Sequence, residues 1–155
     1  MNVFKRVLMI SLLGLGTLYA QSQKVVYDLT TGDAQKIEKY LINSIDAMSK
    51  YYKKENKELK IIVVISGDAY KYFVNDLKAS PYAADKDALG AKEKFSNRLQ
   101  NLNDTHGVTF NMCSSGMKAN KIEKSTLYKY VHADAMKSIY LIEAQNDGYA
   151  YMPIH

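Results

Sequence analysis

Two runs of apolar, mostly β-branched residues frame the first half of the chain. KVVYDL (24–29) and KIIVVIS (60–66) carry few polar interruptions. Such runs fit strands buried on both faces, as in parallel sheets. Between them Ile37, Leu41, Ile45, Met48 and Tyr52 recur at helical spacing. That spacing predicts an amphipathic helix from about Asp33 to Tyr52. Strand, helix, strand is a βαβ unit, and its crossover should be right-handed.

Further along, Tyr70, Phe73, Val74 and Leu77 share one face of a second predicted helix. ASPYAADKDALGA (79–91) holds Pro81 and many small residues, and reads as a surface loop. Phe95, Leu99 and Leu102 mark another helix, ending near Asp104 before His106-Gly107. GVTFNM supplies a third strand with Val108, Phe110 and Met112 on one face. KSTLYKYVHAD reads as a short helix and then a short strand around Tyr130 to His132. AMKSIYLIEAQND reads as a helix stopped by Asp147-Gly148, and YAYMPI as a final strand that Pro153 ends or places at an edge. This alternation predicts a layered α/β fold with a mostly parallel sheet.

The N-terminus has a different pattern. MNVFKR carries Lys5 and Arg6, the uncharged run Val7 to Leu18 follows, and Tyr19-Ala20 meets the polar QSQK. A positive start, an apolar core and a small residue at the cut describe a secretory signal peptide over residues 1–20. The run is too short for a bilayer span of ~20 residues. Leu18 fits poorly three positions before the cut, so an uncleaved membrane anchor is the alternative. No cysteine lies near the cut, which argues against lipoprotein attachment. Residues 21–155 are then one domain, expected to be periplasmic or secreted.

Charge excludes little, but it does weigh against one class. The chain carries +5, and two of its 21 Lys and Arg lie in the leader. The remaining 19 face 16 Asp and Glu and are scattered, with no basic block, so nucleic-acid binding has little support. KYYKKENKELK (50–60) reads as a solvated helix end and loop. The thirteen tyrosines read as core and interface residues.

Candidate chemistry gathers at three strand ends. TTGDA (30–34) and ISGDA (65–69) each place a Gly-Asp pair where a strand gives way to a helix. Asp33 and Asp68 are natural N-caps behind the flexible Gly32 and Gly67. The sharper reading is a ligand-facing, anion-binding rim, since open parallel sheets bind ligands beyond the carboxyl ends of their strands. The third end is FNMCSSGMKAN (110–120), where Cys113 precedes Ser114, Ser115, Gly116 and Lys118. A thiol at a helix N-terminus meets unpaired N–H groups and the positive end of the helix dipole, which favour thiolate. Lys118 and Lys121 could add positive charge.

Cys113 is the only cysteine, which excludes an intramolecular disulfide. It leaves a reactive thiol, an intermolecular bridge or an inert buried thiol, and spacing alone does not choose among them. His106, His132 and His155 have no metal-ligand spacing, and no CxxC exists, so no metal is implied. No glycine-rich nucleotide signature follows any strand, so no cofactor is implied either.

In order, KVVYDLTTGD, LKIIVVISGDAYKYF, FSNRLQNL, HGVTFNMCSSGMKANKI and LIEAQNDGYAYMPIH resemble the DsrE/DsrF-like sulfur-relay family, specifically its small exported members. The likeness covers nearly all of residues 24 to 154. It implies a three-layer, flavodoxin-like α/β fold with a mostly parallel five-stranded sheet, assembled as a homo-oligomer. It also implies that Cys113 matches the persulfide-bearing cysteine of the sulfur-carrying members. Export would separate this chain from the cytoplasmic relay partners, leaving an exported protein or a small sulfur compound as donor or acceptor. The competing expectation is a non-catalytic oligomeric module, with Cys113 buried or bridging subunits. A flavin or nucleotide enzyme would rest on fold analogy alone.

Overall fold

The structure is a computed structural model that describes residues 22–155. The leader reading, residues 1–20, lies outside the described residues. Five strands form one sheet: β1 (Gln23–Leu29), β2 (Leu59–Ile65), β3 (Thr109–Met112), β4 (Val131–His132) and β5 (Ala150–Ile154). Every pairing is parallel, in the order β4-β3-β2-β1-β5. The short β5, with Pro153, forms an edge as the sequence suggests, where a missing N–H does least harm.

The strand order dictates the layers. From β1 to β4 the chain steps across the sheet in one direction, so right-handed crossovers lay their connections on one face. That face carries helix α1, spanning 34–54, with a π-helical stretch at Ile37–Ile42. It also carries α2 (Lys86–His106). Ile37, Leu41 and Ile45 of α1 and Phe95, Leu99 and Leu102 of α2 bury against Tyr27, Leu29, Val63, Ile65, Phe110 and Met112 of the sheet. The last connection must run back from β4 to β5 beyond β1. Right-handedness then puts its helix, α4 (Lys137–Asn146), on the opposite face, where Ala144 packs on Val26 and Val64. The short α3 (Ser114–Ala119) follows β3. The result is the expected three-layer α/β fold.

Two predicted segments differ. The residues Tyr70, Phe73, Val74 and Leu77 are all buried, but the segment is a 3-10 helix over Gly67–Phe73 rather than an α-helix. In a 3-10 helix residues three apart eclipse, which puts Tyr70 directly behind Phe73. Val74 is already extended and bridges antiparallel to Leu127. The predicted loop over 79–91 is shorter than its composition suggested. Asp85 accepts the Ala88 N–H at 2.8 Å and starts α2 at Lys86, so 86–91 are helical. A capping aspartate outweighs the small residues that follow it.

Candidate functional site

β3 ends at Met112, and the Cys113 N–H is taken by the Ile65 carbonyl of β2 at 2.9 Å. That bond completes the ladder and leaves Cys113 as the N-cap of α3, with extended φ −63° and ψ 109°. An N-cap side chain faces the unpaired N–H groups of the first turn. Here that side chain is a thiol. Ser115 Oγ lies 3.2 Å from the sulfur.

A second donor arrives from a different helix. Met136 is the N-cap of α4 and offers no side-chain cap. The N–H of Lys137, one of that helix's orphan donors, instead meets Cys113 Sγ at 3.3 Å. The Ser114 N–H bonds the Ala135 carbonyl at 3.0 Å and holds the two segments together.

Tyr70 reaches the site from the 3-10 helix after β2. Its side chain is buried, and its hydroxyl donates to the Cys113 carbonyl at a long 3.5 Å. The ring lies against Gly116. A Cβ there would fall on the Tyr70 hydroxyl and come within 2.8 Å of Cζ, so only glycine fits. Burial, then proximity to Cys113, pushes the Tyr70 hydroxyl well above its ordinary range, so it stays a donor.

These contacts set the ionisation of the thiol. Burial pushes Cys113 up, but the polar groups around the sulfur, Ser115 first and then the Gly116 and Lys137 N–H groups and the Tyr70 hydroxyl, outweigh it and hold the thiol below its ordinary 9.0. The residue is 7% exposed, yet it lines a hollow of about 320 Å³ with Ser115, Met136, Lys137, Ser138 and Leu141. The thiol is thus buried by area but set in the wall of a cavity.

The other predicted residues assemble elsewhere. Gly32, Asp33, Gly67 and Asp68 come together, as the rim reading expects, in a cleft of about 370 Å³ with Lys71, Tyr82, Asp85 and Asn120. Gly67 turns with φ 60°, and a Cβ there would stand 2.9 Å from the Thr30 carbonyl oxygen. Asp33 caps α1 through the N–H groups of Gln35 at 2.8 Å and Lys36 at 3.1 Å. Asp68 is not a cap: Ser66 holds that position, without a side-chain bond, because the helix begins two residues earlier than expected. Lys71 is ion-paired to Asp85 at 3.6 Å and Asp87 at 3.2 Å. A lining of three carboxylates and one committed lysine is a poor setting for an anion. Ser114 and Gly116 pack at the start of α3, whereas Lys118 is exposed in its last turn and lines neither cavity.

No group of three or more His, Cys, Asp or Glu among the described residues is placed to hold a metal ion. No helix among them is long and apolar enough to cross a membrane. Sequence reasoning missed Tyr70, read as packing, and Lys137, read only as part of a helix. It also passed over Asp28, the one acidic residue in the first apolar run, which is itself a legible signal.

Comparison with solved structures supports the fold. A protein of unknown function from Methanobacterium thermoautotrophicum, MTH1491, matches at 19% identity with a TM-score of 0.64, covering 85% of this chain and 99% of that one. The ychN protein of E. coli matches at 14% identity and TM-score 0.53, over 84% and 98% of the two chains. No curated protein sequence matches. The model of the DsrE/DsrF-like family matches residues 24–154, and the chain belongs to that family.

Proposed function

We propose that this protein is a sulfur carrier whose persulfide forms on Cys113. The supporting observation is the convergence on one sulfur of an O–H and an N–H donor from two segments, the start of α3 and the start of α4, with the Tyr70 hydroxyl of the 3-10 helix on the Cys113 carbonyl beside them. All of them stabilise an anion, which both the attacking thiolate and the product persulfide are.

The step is a thiol exchange. The Cys113 thiolate attacks the outer sulfur of a donor persulfide or polysulfide. A bond forms between Cys113 Sγ and that sulfur, while the donor's sulfur–sulfur bond breaks. The donor leaves as a thiolate with the bonding pair, so no external oxidant is needed. In the reverse sense an acceptor thiolate takes the outer sulfur, and Cys113 leaves as thiolate. A good leaving group makes a separate acid–base triad unnecessary. We read the carrier as exported and homo-oligomeric, with a partner protein or small sulfur compound as donor and acceptor. Exposed Ile139, Ile142, Tyr151 and Met152 on α4 and β5 support an oligomer.

Intact-mass spectrometry after treatment with polysulfide tests the reading. The mature protein gains one sulfur atom, and reducing agent removes it. Cys113→Ser gains none. An unmodified wild type, or an equal gain on Cys113→Ser, contradicts the reading. The competing reading, an inert buried thiol in a binding module, is favoured by the low exposure of Cys113. It predicts reaction only after unfolding.

A further inference from the structure

Asp28 is a charge in a place that repels charge. It sits one residue before the carboxyl end of β1, 3% exposed, on the face shared with Val26 and Val64. A buried carboxylate is costly unless it is paired. Two partners meet it. The Lys137 ammonium stands 2.8 Å from Oδ1, without the alignment of a hydrogen bond. The Tyr151 hydroxyl donates to Oδ2 at 2.9 Å, which pushes that hydroxyl above its ordinary range. Tyr151 faces the same side because β5 pairs with β1 in register, Val26 opposite Tyr151.

The same Lys137 gives its backbone N–H to Cys113 Sγ. One residue at the first turn of α4 thus touches the sheet with its side chain and the sulfur with its main chain. Just before that turn the Tyr140 hydroxyl accepts the Asp134 and Ala135 N–H groups and the Ala135 carbonyl accepts from Ser114, but Met136 makes no capping bond and is exposed, so Lys137 is the residue of the turn itself that reaches the sheet. We propose that the buried Asp28–Lys137 pair is a positioning device: it moors the N-terminus of α4 to the sheet and so aims the Lys137 N–H at Cys113 Sγ. The ammonium is thereby committed to Asp28, so the hollow receives an oriented peptide dipole rather than a free cation. This inference rests on Cys113 being the working nucleophile.

Single substitutions at either position mix two effects, because they also change the charge near the thiol. Replacement of both partners avoids this. D28N/K137M and D28L/K137M are charge-neutral exchanges that keep the Lys137-position N–H. Buried ion pairs replaced as a unit by packed neutral residues commonly leave proteins folded. Two designs guard against one of them failing. The readout is the pH midpoint of Cys113 alkylation in the folded protein, with Val64→Ala as a variant that loosens the same layer but keeps the pair.

The midpoint rises by about one pH unit in the double variants, roughly a tenfold loss of thiolate at neutral pH. Val64→Ala stays at the wild-type midpoint even if it melts earlier. A wild-type midpoint in a folded double variant overturns the proposal, as does an equal rise in Val64→Ala. Sulfur loading of the wild type is read separately by mass, so loss of this inference and loss of the carrier reading give different results.

Discussion

Two cavities open at the carboxyl edge of the same parallel sheet, one after β1 and β2 and the other after β3 and β4, and they are built on opposite plans. In the cleft of the two Gly-Asp turns, polar groups satisfy one another. Asp33 is spent on α1, Lys71 on Asp85 and Asp87, and the Tyr72 hydroxyl on the Gly32 carbonyl at 2.6 Å. In the Cys113 hollow the donors converge on one sulfur and leave it as their shared acceptor. The first plan closes local turns and starts helices. The second concentrates unpaired donors where an anion can form. Similar strand–turn–helix junctions therefore serve different ends, and what separates them is which groups are already paired.

That contrast can be broken most severely at Gly116. Gly116→Ala drives a methyl group into the Tyr70 hydroxyl, and overpacking of this kind costs about 1–3 kcal/mol. In the Tyr70→Phe background the hydroxyl is gone, so the same change costs less. Urea unfolding of the four proteins in the cycle measures the difference. Additive costs would mean that the two side chains do not meet as described.

A smaller effect sharpens the contrast on the cleft side. Asp33→Ala removes a helix cap and lowers stability by about 1 kcal/mol. It leaves the Cys113 midpoint unchanged. Asp68→Asn, which caps nothing, changes stability and thiol titration least of all. A shift of the thiol midpoint in either variant would show that the two cavities are coupled, against this account.

Much of this architecture was legible in the chain. The parallel sheet followed from unbroken β-branched runs, and the thiol's place at a strand end followed from GVTFNM running into CSSG. Both are local signals. The donors around the sulfur were not legible, because each comes from a distant segment. Lys137 lies 24 residues from Cys113 and Tyr70 lies 43, and only the crossovers bring them together. The Gly-Asp echo was misleading for the same reason. It marks the turn, which is local, but not whether the turn's donors remain free, which depends on neighbours such as Lys71. Asp28 was the exception. Its place in an apolar run announced a buried partner, though the sequence did not say which.

The most direct test is the alkylation rate of Cys113 in the native protein as a function of pH, with the unfolded protein as reference. A hydrogen-bonded thiolate is favoured only in the folded state, so the native midpoint lies below the unfolded one and below 9.0, and Tyr70→Phe moves it upward. The wild-type fold also gains stability relative to Cys113→Ser as pH rises through that window, because the native thiol loses its proton first. A native midpoint at or above the unfolded value, or a thiol that reacts only after unfolding, contradicts the account.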